Sequence, residues 1–159
     1  MRNKLLLLFV IIASCVFISC KPSNDKIKND IKIKEDGLHV EEAYLTVNNA
    51  QTVPEGNKVQ VGERVSLRLI IDGWHVKNGR VFFDASQRTA SSSGTTLAIN
   101  PSMFGQVYTQ GATLRDAKYV LLYQTMGRLD DPKNHIVITF KVWDKITNKS
   151  VSGSYELYM

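Results

Sequence analysis

The side chains best suited to chemistry in this chain are few and scattered. Its three histidines, His39, His75 and His135, match no His-Glu-x-x-His pattern or other zinc-ligand spacing. His39 stands close to Glu41 and Glu42, which makes at most a charge cluster at the start of a strand. There is no Gly-x-Ser-x-Gly elbow, no Walker-type glycine loop and no dinucleotide fingerprint. An enzyme is therefore not expected, nor a cofactor or metal; a hydrolase would have to assemble its groups through folding alone. Asp130 and Asp131 offer oxygen donors for weak calcium binding, but an acidic pair beside Pro132 reads more simply as a solvated turn. The local feature that suggests recognition is residues 72–79, DGWHVKNG, a turn between two strands that carries Trp74 and His75. An exposed indole has a flat apolar face and a polar N–H, which suits stacking on a sugar or filling a partner's pocket. Folded inward, the same ring would plug one end of the domain. Trp74 and His75 are the candidate ligand-binding residues. Trp143 falls inside a strand and is expected to pack.

The two cysteines carry a different chemistry. Both, Cys15 and Cys20, lie near the start, and no cysteine follows them, so the body of the chain has no disulfide. Arg2 and Lys4 precede an uncharged run from Leu5 to Ser19, and a polar stretch beginning at Lys21 follows Cys20. A basic start, a short apolar core and a small residue before the cut are the parts of a secretory signal. The run is shorter than the roughly 20 residues a membrane-spanning helix needs. The tetrapeptide Phe17-Ile18-Ser19-Cys20 resembles the lipobox of bacterial lipoproteins, although that pattern more often has Leu three residues before Cys. Ile12-Ala13-Ser14-Cys15 also fits, but a cut there would leave Val16-Phe17-Ile18 on the mature chain. The resemblance implies a signal peptide over residues 1–19 and a diacylglycerol on Cys20. Each buried CH₂ is worth about 0.8 kcal/mol, so acyl chains of this kind hold a soluble domain at a bilayer. Lys21 follows Cys20, and the Asp that retains many lipoproteins at the inner membrane is absent there, which favours the outer membrane. Whether the domain faces the periplasm or the outside is left open.

Charge narrows the partners. Loss of Arg2 and Lys4 with the signal segment takes the formal net charge from +5 to +3, spread along the chain. Nucleic-acid binding would need a basic stripe with interleaved aromatics, and none is present. Residues 20–37 alternate lysines with acidic residues around only three isoleucines, Ile27, Ile31 and Ile33. That composition buries too little apolar surface to offset the entropy of ordering, so the segment is expected to be a flexible tether spanning about 20–25 Å. An edge strand or short helix built on the isoleucines is the alternative.

From Leu38 to Met159 the pattern is that of a β domain. Val65, Leu67 and Leu69 alternate with Arg64, Ser66 and Arg68; Ile136, Ile138, Phe140 and Val142 do the same between His135 and Trp143. Tyr155, Leu157 and Met159 repeat the alternation at the end, beyond the polar hairpin connection of residues 144–149. Further strands are predicted near 41–48, 57–61, 80–84, 95–99, 105–109 and 118–125. Thr113 and Asp116 fit a capping box, so a helical turn is expected before the last of these. Residues 89–94 are small and polar, as in a mobile loop. Seven to nine strands at this spacing predict an antiparallel two-sheet sandwich. The layout resembles the immunoglobulin-like sandwiches of small envelope lipoproteins, and residues 138–159 resemble their closing hairpin. Such a fold implies architecture and not activity. The leading expectation is a membrane-anchored, non-enzymatic module that binds or scaffolds another envelope protein. A ligand- or glycan-binding lipoprotein using Trp74 and His75 is the second.

Overall fold

A computed structural model describes residues 26–48, 50–127 and 135–159. The signal segment, Cys15, Cys20 and the Asp130-Asp131 pair lie outside these residues.

The alternating segments form strands that close two antiparallel sheets. In chain order they are β1 (Lys32–Asp36), β2 (His39–Val47), β3 (Gln51–Thr52), β4 (Arg64–Asp72), β5 (Phe83–Ser91), β6 (Thr96–Asn100), a single helical turn α1 (Leu114–Lys118), β7 (Tyr119–Thr125), β8 (His135–Asp144) and β9 (Ser150–Tyr158). One sheet has the order β1-β9-β8-β5-β6 and the other β3-β2-β4-β7. The chain lays β2 and β4 in one sheet and β5 and β6 in the other, then returns to the first for β7 and to the second for β8 and β9. This is an antiparallel two-sheet β-sandwich, as the alternation predicts.

The core is what the alternation demands. Leu45, Leu67, Leu69 and Leu122 of one sheet are buried against Ile136, Ile138, Val142, Tyr155 and Leu157 of the other. Gly153 stands in the inward row of β9, where a Cβ would come within 2.6 Å of Phe140 Cζ and would also strike the Lys32 carbonyl. The missing side chain lets β1 and the Phe140 ring both close on β9. Gly153→Ala should therefore cost about 1–3 kcal/mol by overpacking, read as a lower midpoint in urea, whereas Ser152→Ala on the outer face should change little.

Three expectations are corrected. Residues 26–37 are not a flexible tether over the part described: Ile27 bridges Ala43, Ile31 is buried and β1 pairs with β9 from Lys32↔Ser154 to Asp36↔Ser150. Asn29 and Asn57 fasten this segment. The Asn29 amide donates to Val53 O and Asn57 Oδ1, and the Asn57 amide donates to Asn29 O and Glu156 O. Second, residues 89–91 are not loop, because β5 continues to Ser91, which pairs with Ile136; of the expected loop only residues 92–94 lie between β5 and β6. Third, no strand forms at 57–61 or 105–109, and at 80–84 a strand starts only at Phe83. Val59 and Asn57 still bond to the Tyr158 backbone, while Val107 and Tyr108 both turn back onto Phe104 O. The capping box is present: the Asp116 N–H donates to Thr113 Oγ1 at 3.1 Å.

Candidate functional site

Two regions stand out, an end of the sandwich made of loops and an open flank. The loop end is organised by two buried aspartates that sit next to each other on neighbouring strands, since Asp84 pairs with Trp143 and Phe83 with Asp144. Asp144 Oδ1 accepts the N–H groups of Ile146 and Thr147 at 2.8 and 2.9 Å, while its Oδ2 accepts the His75 N–H at 2.9 Å. One carboxylate thus shapes the β8–β9 hairpin and ties it to the β4–β5 loop. Burial by itself would raise its pKa, but the hydrogen bonds from Thr147, His75 and Ile146 outweigh that and hold it below the ordinary aspartate value. Asp84 works in the same way on the β6–α1 connection. It accepts from Ser102 Oγ at 2.6 Å and from the Phe104 N–H at 2.9 Å. Burial opposes the charge there too, and those bonds together with the nearby Lys145 lower the pKa overall.

Trp74 belongs to this framework and not to the surface. The residue is 9% exposed, its Nε1–H donates to Ile71 O at 3.1 Å, and its ring meets Phe83 at 5.3 Å. Phe83 in turn meets Phe104 and Tyr108 at 5.1 and 5.3 Å, so four aromatic rings fill this end of the core. The expectation of Trp74 as a sugar-stacking platform is corrected accordingly: the buried ring has no free face to stack on. His75 is exposed, and it enters the network through its backbone. The three histidines are not brought together. His39 pairs with Glu35 at 3.0 Å, while His135 stacks on Tyr158 at 4.6 Å with its Nε2 3.0 Å from Glu156 Oε2. Among the described residues no group of three or more His, Cys, Asp or Glu is arranged to hold a metal ion. Trp143 is half-buried on the outer side of β8, away from the core.

The β4–β5 and β8–β9 loops also border a cleft that no sequence pattern reveals. Lys77 and Arg80 bond to each other's backbone across Asn78 and Gly79, whose φ values of 53° and 74° make the two-residue hairpin turn that Asn-Gly favours. Lys145 donates its N–H to Phe82 O at 2.8 Å, which brings the β8–β9 hairpin alongside. The cleft between these loops measures about 400 Å³, and Phe82 and Ile146 contribute to its wall. Gln110 also lines the cleft, and next to it Gly111, at φ 77°, lets its loop approach closely: a Cβ there would stand 2.9 Å from Arg80 Cβ and 3.1 Å from Phe82 Cζ.

The second region is the flank where β6 and β7 end the two sheets. The edges differ in chemistry. β1 presents KIKED, charged at four of five positions, and β3 has two residues. Charged or very short edges resist pairing with another chain. β7 reads YVLLYQT and β6 TLAIN, with no charge in either. Both lie on one flank, because Gln124 of β7 accepts from Gln87 Nε2 at 2.8 Å and Thr89 Oγ1 at 2.6 Å on β5, the neighbour of β6. Beside the β7 edge, the outer face of its sheet carries Tyr119 and Tyr123, 58% and 51% exposed. The Arg64 guanidinium lies 3.9 Å from the Tyr123 ring centroid.

No protein-family model matches this chain, and no curated protein is significantly similar to it. Its function therefore has to be argued from these two regions and from the start of the sequence.

Proposed function

We propose that this chain is a lipid-anchored lipoprotein of the bacterial envelope whose sandwich binds another envelope protein and carries out no catalysis itself. The signal-like start and Cys20 support the anchor, and Lys21 supports the outer membrane. The observation that carries the binding reading is the β7 edge: seven uncharged residues that, among the described residues, pair only with β4, flanked by exposed tyrosines, in a domain whose opposite edges are charged or short. An edge of this kind is a template for strand addition, in which main-chain hydrogen bonds supply affinity and alternate side chains supply specificity. The partner is thus an envelope protein that offers an extended segment, with Tyr119, Tyr123 and Arg64 reading its outward side chains. Tyr and Arg are the residue types enriched where binding energy concentrates. With Trp74 buried, the glycan-stacking alternative loses its main residue.

The test is affinity purification after crosslinking in living cells, comparing the wild-type chain with Tyr119→Lys/Tyr123→Lys. A single reproducible protein should come down with wild type and at least about tenfold less with the double variant, the effect of losing roughly 1.4 kcal/mol. Both side chains are exposed, so the variant should stay folded, less stable only by about 0.5–1 kcal/mol for the lost Arg64–Tyr123 contact. Recovery of nothing but abundant lipoproteins, or of the same partner undiminished with the variant, would count against the proposal.

A further inference from the structure

The cleft at the loop end sits apart from the β7 edge and has a chemistry of its own. Its wall is mainly apolar: Phe82 and Ile146, the latter 40% exposed, are joined by the aliphatic stems of Lys77, Arg80 and Lys145, exposed residues whose charged ends reach toward solvent at the rim. None of these three cations is in an ion pair among the described residues. Lys145 also acts on the nearby Asp84 carboxylate; an anion whose head reaches the charged ends at the rim is attracted by Lys77 and Arg80 as well, while its apolar part covers Phe82 and Ile146. The volume of about 400 Å³ falls in the range of small-molecule sites.

The site is also built rather than incidental. Each cation stands on a loop whose backbone is fixed: Lys77 and Arg80 by their own hairpin turn, Lys145 by the bond to Phe82 O and by the Asp144 carboxylate one residue away. Gly111 provides the space in which Arg80 and Phe82 lie side by side. With the backbone held in this way, the freedom lost on binding is confined to the side chains that meet the ligand.

We propose that this cleft is a binding site for a small amphiphilic anion, a phosphate or carboxylate head joined to a compact apolar body. The head meets Arg80, Lys77 and Lys145, and the body lies on Phe82 and Ile146. Arg80 offers a bidentate fork for the oxyanion, and the lysines add point charges. Such a head belongs equally to a soluble metabolite-sized anion and to the headgroup of an acidic lipid, and the experiment separates the two.

The test uses the full chain reconstituted in phosphatidylcholine nanodiscs, with phenyl phosphate as the probe and saturation-transfer NMR as the readout. Inorganic phosphate supplies the head alone, and benzyl alcohol the ring alone. Phenyl phosphate should bind saturably in the millimolar range or tighter, and better than either half. Arg80→Gln/Lys145→Gln should weaken it by at least about tenfold. Both residues are exposed, so an unchanged melting profile will show that the fold is intact. Vesicles of phosphatidylglycerol form the second arm. If they bind wild type and not the double variant, and phenyl phosphate displaces them, the source is a lipid headgroup; if they do not bind while phenyl phosphate does, it is a soluble anion. Three results would overturn the site: no saturable binding of phenyl phosphate, binding unchanged in the double variant, or equal binding of benzyl alcohol. None of them touches the β7 edge, so failure here leaves the partner-binding proposal standing.

Discussion

Replacing Asp144 by Ala should lower the stability of the domain by about 3–4 kcal/mol, more than any other single loss of a polar group at the loop end. The estimate follows from what the carboxylate holds. It accepts three backbone N–H groups, from Ile146, Thr147 and His75, at 2.8–2.9 Å, and the residue is fully buried. Hydrogen bonds to a charged group are worth roughly 1.5–3 kcal/mol each when made alone, and bonds sharing one acceptor group do not add in full. For a chain of this size the loss should appear as a melting midpoint roughly 10 °C lower.

The pH dependence has a definite sign. The folded pKa of Asp144 is depressed, so its contribution is fully present above the unfolded value of about 3.9 and disappears as pH falls through the lower folded value. Asp144→Asn should therefore differ most from wild type near neutral pH, and the two unfolding curves should draw together below about pH 3.9. A gap that stayed constant into acid would mean that the charge of Asp144 is not what holds the two loops.

The second large effect concerns Trp74. Trp74→Ala should cost about 3–5 kcal/mol, the range for truncating a large aromatic in a core. The ring packs on Phe83 at 5.3 Å, and its N–H is spent on Ile71 O. The neighbouring His75→Ala leaves the backbone bond to Asp144 in place and should stay within about 0.5 kcal/mol of wild type. Chemical denaturation of the two variants separates the roles directly. If Trp74→Ala were as stable as wild type, the indole would have to be a surface group after all, and stacking on a sugar would regain its footing.

How these residues read in the sequence shows where local pattern stops being informative. The β4 and β8 strands were legible because one face of each is buried along its whole length, so apolar residues recur at every second position. β1 has no clear local pattern because it lies at a sheet edge: Ile31, just before it, and Ile33 supply its inward contact, and the lysines and acidic residues around them face water. Composition averaged over such a segment resembles disorder, although the two isoleucines are enough once β9 provides a partner. Trp74 could not be assigned because an inward and an outward ring follow the same turn residues. Asp144 opens a polar connection, and an Asp at the start of a turn is itself the sequence sign of a carboxylate that folds back onto N–H groups two and three residues on. The cleft was not legible at all. Arg80 and Lys145 are 65 positions apart, and only the pairing of β5 with β8 brings their loops together. The uncharged run of β7 was plain to see, but its place at an edge is a property of strand order, which no local pattern encodes.

The edge is where the proposed function meets experiment most directly. A photoreactive benzoylphenylalanine would be placed singly at Tyr119, at Tyr123 and, as a control on the charged edge, at Lys34, and each chain irradiated in living cells. The expected result is one and the same protein adduct from positions 119 and 123, with little or none from 34. No adduct from the two tyrosine positions, or equal labelling from all three, would contradict the β7 edge as the surface through which this protein binds its partner.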